Sequence, residues 1–349
     1  MRSKGGEKMN KLMLFVLPAF ILVASLFLGG HAFAWHDQPS PRTIGPIVDT
    51  DWLYQHSSEV IILDIRSAPD YGANHIPGSI NEPFVTGFDP CTGPSSNWIT
   101  GTDDCLWLQV PHASDLLITI GNLGISRDSS VVIVTAPNPD EPPFYGLANA
   151  ARVAFTLIYA GVEKVAILDG GYTKWVAEGK DVTTVVPAVT PVSYQGHVNE
   201  SLIVSREYVR RHLRKADIID ARDADVYFGI TIEPFADKAG HIPTAKSLPA
   251  PWIWDVNTVT KDGTTYTHYT YKSKQTLRDM ASGVTHEPWG YDGKDRWGEE
   301  IIVYCGVGGY ASSWWFVLTQ VLGYHDAKLY DGSAQEWVRY YDMVLYRWE

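Results

Sequence analysis

Residues 47–84 read IVDTDWLYQHSSEVIILDIRSAPDYGANHIPGSINEPF, and residues 203–250 read IVSREYVRRHLRKADIIDARDADVYFGITIEPFADKAGHIPTAKSLPA. Ile47 answers to Ile203 and Asp64 to Asp220 at one offset of 156; His75 answers to His241 at 166, because the second copy holds ten extra residues. Later segments repeat too: SSVVIVTA (129–136) matches EEIIVYCG (299–306), and AILDGGYTKW (166–175) matches AKLYDGSAQEW (327–337). Self-similarity at a long fixed offset marks a duplicated domain. Between the copies, VTTVVPAVTPVSYQGHVNE (182–200) has no helical period and several turn formers, and reads as a linker.

Each copy alternates short β-branched runs with helical patterns. In the second copy the expected strands are Asp217–Asp220, Ile301–Tyr304 and Ala327–Tyr330, with a helix of wide apolar face over Ala311–Leu322. Apolar runs without polar alternation suit parallel strands covered on both faces. The fold class is therefore α/β: two tandem domains, each with a central parallel β-sheet flanked by helices. The boundaries expected are 1–34, 35–185, a linker over 186–200, and 201–349.

The first 34 residues are set apart as a signal peptide. Arg2, Lys4, Lys8 and Lys11 precede the apolar run 12–30, and Ala32-Phe33-Ala34 fits a signal-peptidase site, so the mature chain is expected to start at Trp35, exported to a periplasmic or extracellular address. An uncleaved membrane anchor is the alternative. The whole chain of 349 residues carries 28 basic against 40 acidic residues, a net charge of −12; without the leader the balance is 24 against 39. Such a surface has little with which to neutralise phosphates, and nucleic acid is excluded as a partner. With 45% hydrophobic and 12% aromatic residues, the body is an ordinary globular chain.

Three cysteines occur. Cys91 and Cys105 lie in a turn-rich stretch, DPCTGPSSNWITGTDDC, where a disulfide would close a loop worth roughly 3 kcal/mol in an oxidising compartment. Two unpaired thiols are the other reading. Cys305 is left over, and it follows the strand run IIVY and precedes Gly306-Val307-Gly308-Gly309-Tyr310-Ala311. At the carboxyl end of a parallel strand, a glycine-rich loop can turn several N–H groups inward. Those groups and the following helix N-terminus would favour a thiolate, so a lowered thiol pKa is expected. A buried structural cysteine beside a tight turn is the competing reading.

Taken together, DIRSAPDYGANHIPGS, ILDGGYTKW, DARDADVYFG, GHIPTAKS, VYCGVGGYAS and YDGSAQEW resemble the tandem rhodanese family of sulfurtransferases over nearly all of residues 45–349. The family includes the thiosulfate and 3-mercaptopyruvate enzymes. The resemblance implies that Cys305 is the nucleophile, that 306–311 form the substrate-binding loop, and that the first copy is catalytically silent; Thr135 stands where that copy would need its cysteine. It also implies chemistry without metal or organic cofactor, a small sulfur-containing donor, and a thiol or cyanide acceptor.

Departures fall within the loop. Thiosulfate enzymes of this family follow the cysteine with arginine and lysine, and mercaptopyruvate enzymes with glycine and serine; here the residues are Gly306 and Val307. Val226 stands where both types place a substrate-binding arginine. A weak response to thiosulfate is expected, with Gly306→Arg plus Val307→Lys restoring a grip on the dianion. Asp64 and His75 match residues proposed to assist the thiol in the mercaptopyruvate type, and Arg222 and Lys246 are candidate replacement cations. The competing function is an exported persulfide carrier, a sulfur-binding partner of a respiratory, redox or sulfur-metabolism protein, with little free turnover. A cysteine phosphatase would need a loop arginine, and none occurs in 305–320.

Overall fold

Strands of the first copy are β1 (Ile47–Val48), β2 (Ile61–Asp64), β3 (Ile80–Asn81), β4 (Ser130–Val134) and β5 (Lys164–Leu168). In the computed structural model, residues 44–84, 96–102, 104–137, 143–285 and 300–349 are described; the leader 1–34 and Cys91 lie outside them. The five strands form one parallel sheet in the order β1-β5-β4-β2-β3. Val131, Val132, Ile133 and Val134 of β4 are all fully buried, as a central strand covered on both faces requires.

The second copy contributes β6 (Asp217–Asp220) and β7 (Lys246–Ser247), then a hairpin of β8 (Trp254–Lys261) and β9 (Thr264–Tyr271), then β10 (Ile301–Tyr304) and β11 (Ala327–Leu329). Its parallel sheet runs β11-β10-β6-β7. The expected third strand stops one residue short of Tyr330, and the expected helix begins earlier, as Gly309–Phe316, continuing as a π-helical segment over Val317–Leu322. Among the described residues the hairpin has no counterpart in the first copy. Its turn is Asp262-Gly263, both with positive φ (50° and 80°), the backbone that a two-residue hairpin turn demands.

Duplication persists to single hydrogen bonds. Asp49 and Ser205 cap equivalent helices, at Trp52 N–H (2.7 Å) and Tyr208 N–H (3.2 Å). Arg66 grips Asp64 through two nitrogens, and Arg222 grips Asp220 in the same way, each pair closing at 2.6 Å. His75 stacks on Tyr71 and His241 on Tyr227, each at 3.8 Å between ring centroids. The tyrosine hydroxyls donate to Ser79 O and Ala245 O.

Both copies belong to one compact unit and share a core. The helices Pro143–Tyr159 and Gly309–Phe316 pack together, with Phe155 edge-on to Trp315 at 4.7 Å. The hairpin reaches across as well: Tyr271 N–H donates to Asp169 Oδ1 (2.8 Å), and Phe144 packs on Trp254 and Tyr269. No helix among the described residues is long and apolar enough to cross a membrane.

Candidate active site

Cys305 sits immediately after β10, so its position is set by the register of that strand against β6 and β11. The sheet ends there, and the chain must turn. Gly308 has φ 98°, a left-handed conformation open to glycine at little cost, and it aims its N–H at Cys305 Sγ over 3.0 Å. Val307 and Ala311 N–H groups also favour the charged sulfur. The helix Gly309–Phe316 then leaves the loop, with Ser312 N–H and hydroxyl both donating to Gly308 O.

The turn Asp331-Gly332-Ser333 holds the loop from below. Ala334 N–H donates to Cys305 O (2.9 Å), Gln335 N–H to Gly306 O (3.1 Å), and Cys305 N–H to Ser333 Oγ (3.3 Å). Ser333 takes φ 54° to do so, where the first copy has Gly171. The repeated D-G motif is thus a bracket for the residue after the strand.

Cys305 is the free cysteine among the described residues and is 3% exposed. The expected lowering of its pKa is overturned. Burial pushes the thiol up, the Glu233 carboxylate adds to that, and the N–H groups of Ala311, Val307 and Gly308 pull the other way without prevailing. The loop is therefore prepared to receive negative charge on sulfur while the resting group is a neutral thiol.

Glu233 is a site residue that repeat-matching could not reach, because it lies in the ten-residue excess of the second copy. Its Oε2 is buried without a hydrogen-bond partner, and Arg222 Nη1 approaches only to 3.5 Å. Burial, opposed by Arg222, raises this carboxyl to about 7. A Cβ placed on Gly306 would lie 2.6 Å from Glu233 Oε2 and 2.3 Å from the Phe235 ring. Val307 is buried in an apolar cluster with Ile99 and Leu108 of the first copy. These contacts bear on Gly306→Arg plus Val307→Lys: a side chain at 306 must displace the Glu233 carboxylate and the Phe235 ring, and a lysine at 307 must enter an apolar cluster, so a gain with thiosulfate requires those groups to move.

From the first copy, Arg152 reaches the bracket. It is fully buried on the helix Pro143–Tyr159, pairs with Asp331 at 2.6 Å, and donates to Leu108 O. A Cβ on Gly308 would lie 3.2 Å from its Nη1. Residues 107–110 complete the clamp: Trp107 and Gln335 exchange two hydrogen bonds, Gln109 donates to Asp331 O, and Val110 N–H donates to Asp331 Oδ2.

The candidate assistants lie elsewhere. Asp64 is engaged by Arg66, and the ring nitrogens of His75 meet the carbonyls of Tyr71 and Val185. Lys246 pairs with Asp217 and donates to Val284 O. Arg222 alone of the four approaches the loop, through Glu233, with its main grip on Asp220 and Gly240 O. Val226 is half-buried on the helix Ala224–Phe228. In the first copy Thr135 is buried and donates its hydroxyl to Gly146 O (2.9 Å), which ties up the group standing at the nucleophile's position. Part of the loop that follows, 138–142, is outside the described residues.

A buried cysteine at a strand end, cradled by N–H groups and bracketed by a second motif, is thus set on a duplicated α/β scaffold. The rhodanese-like domain family matches residues 49–178 and again 205–340, and the chain belongs to that family of sulfurtransferases as a tandem-domain, thiosulfate sulfurtransferase-like enzyme. It is similar to the sulfur carrier protein TtuD of Thermus thermophilus, 31% identical over 309 residues, covering 83% of this chain and 93% of the relative. It is equally similar to the putative thiosulfate sulfurtransferase SseA of Mycobacterium leprae, 31% identical over 303 residues, with 83% and 87% covered. Among solved structures, the 3-mercaptopyruvate sulfurtransferase SseA of Escherichia coli shares the fold with a TM-score of 0.60 at 23% identity, covering 83% of this chain and 99% of that one. EanB shares it with a TM-score of 0.63 at 20% identity, covering 84% and 67%.

Proposed function

We propose that the chain moves sulfane sulfur through a persulfide on Cys305. The observation that carries this reading is the Gly308 N–H aimed at Cys305 Sγ, in a loop whose neighbouring N–H groups also favour a charged sulfur. In the first step Cys305 sulfur attacks the outer sulfur of a donor; that sulfur's bond to the donor breaks, and the electron pair leaves with the remainder. In the second, a thiol or cyanide attacks the outer sulfur of the persulfide and releases Cys305. The loop N–H groups bear the negative charge that develops on sulfur in both steps.

The two arginines near the loop, Arg152 and Arg222, are each committed to a carboxylate, and the loop face of Gly306 meets Glu233. The preferred donors are therefore ones without a sulfonate that must be gripped, polysulfide and organic persulfides among them. A second reading, stoichiometric sulfur carriage, is favoured by the near-complete burial of Cys305 and by the likeness to a protein named as a sulfur carrier. Steady-state assay with polysulfide and cyanide separates the two. Many equivalents of thiocyanate per Cys305 are expected; a single equivalent, followed by arrest, would favour the carrier.

Export and a Cys91–Cys105 bridge belong to the same proposal. Protein from its native source is expected to begin at Trp35 and, denatured without reductant, to show one titratable thiol. A start at Met1 would sink the first expectation, and three thiols the second.

A further inference from the structure

Cys305 is held as a neutral thiol, so its attack requires that a proton leave. The residues at the loop narrow the choice of acceptor. Asp64 and His75 are occupied within the first copy, and Arg152 and Arg222 accept no proton. Tyr310, on the same loop, has its hydroxyl pushed up by burial and by the surrounding negative charges. Asp331, the carboxylate beside Gly308, is held by Arg152 at 2.6 Å and by Val110 N–H; Glu233 remains, its buried Oε2 approached by Arg222 only to 3.5 Å and facing Gly306 next to the cysteine.

We propose that Glu233 is the proton acceptor for Cys305, and that this pair, rather than a fixed cation, activates the site. The inference rests on the persulfide reading given above. The S–H proton passes to Glu233 Oε2 as the Cys305 sulfur bonds to the donor's outer sulfur. That sulfur's bond to the rest of the donor breaks, the electron pair goes with the leaving group, and the proton stays on Glu233 while the outer sulfur of the persulfide carries the negative charge. One negative charge is present throughout on the cysteine–glutamate pair: on carboxylate at rest, on sulfur during attack. The N–H groups of Val307, Gly308 and Ala311 receive it on one side, and Arg222 faces it on the other. Two acids that cannot both be ionised cheaply in a buried place form a natural donor–acceptor pair.

The charged and titratable groups facing Glu233 are Arg222, which opposes the rise in its pKa, and Asp220 and Asp223, which support it; Cys305 and Tyr310 face it from the loop. With Glu233 near 7, sulfur loading should rise with pH through about 7 as the carboxylate forms.

Glu233→Gln separates this role from a merely electrostatic one, since the two give opposite signs. Removing a repulsive charge beside Cys305 makes its thiolate easier to form, so a passive Glu233 predicts faster loading in the variant. A proton acceptor predicts slower loading, by tenfold or more at pH 7, even though alkylation of Cys305 by iodoacetamide begins at lower pH than in the wild type. Thiosulfate is the probe, because it stays a dianion from pH 5.5 to 9; the readout is single-turnover loading followed by mass. Expected are a rising limb near pH 7 in the wild type, its loss in Glu233→Gln, and its partial return in Glu233→Asp. Loading in Glu233→Gln that equals or exceeds the wild type would overturn the proposal. Absence of loading in the wild type, with polysulfide as well as thiosulfate, would instead overturn the persulfide reading beneath it.

Discussion

Cys305→Ser is expected to abolish sulfur loading, while Thr135→Ala leaves it within about twofold of wild type. Serine keeps the size and the loop hydrogen bonds but has neither the nucleophilicity nor the polarisability to hold a sulfane sulfur, so the loss should be complete rather than graded. The contrast with Thr135 follows from local structure. That hydroxyl donates to Gly146 O inside the first copy, and Gly171 stands where the second copy has Ser333 to support the loop. Loading assays on the two variants check this, and cyanide-labile sulfur persisting in Cys305→Ser would move the chemistry to another residue.

Arg152→Met is expected to destabilise the protein by roughly 3 kcal/mol or more, the order found when one partner of a buried ion pair is removed. The guanidinium is fully buried and the Asp331 side chain is 10% exposed, so the abandoned carboxylate cannot recover its hydration. Leu108 O loses a donor at the same time. Arg152→Lys should rescue poorly, because a single ammonium cannot serve Asp331 and Leu108 O with the geometry of a planar fork. Urea unfolding measures the loss, and Arg152→Met combined with Asp331→Asn should recover part of it, since the neutral amide removes the buried charge. A midpoint for Arg152→Met unchanged from wild type would show that the clamp between the copies is incidental.

Why some of this was legible in the sequence and some not comes down to what a repeat exposes. The parallel strands and the placement of Cys305 at a strand end both follow from periodicity and alignment of the copies. Glu233 falls in an excess segment with no matching residue, so comparison within the chain is silent about it. Arg152 did leave a signal: a lone arginine in the apolar helical run YGLANAARVAFTLIY must be paired if it is buried. The hairpin also left one, in Asp262-Gly263 between alternating β-formers. The thiol pKa could not be read, because the glycines announce N–H donors whereas the burial and the neighbouring carboxylate that outweigh them arise from tertiary packing. For the same reason the sequence does not show the packing of Val307 against Ile99 and Leu108, which tertiary structure brings together across the copies.

The central claim is that Cys305 carries transferable sulfur. Its most direct test is the intact mass of the wild-type protein after incubation with excess polysulfide or thiosulfate and removal of the donor by gel filtration. The account predicts a gain of about 32 Da, localised to the peptide that contains Cys305 and lost on treatment with cyanide. A mass unchanged by either donor, or a gain that cyanide cannot remove, would contradict it.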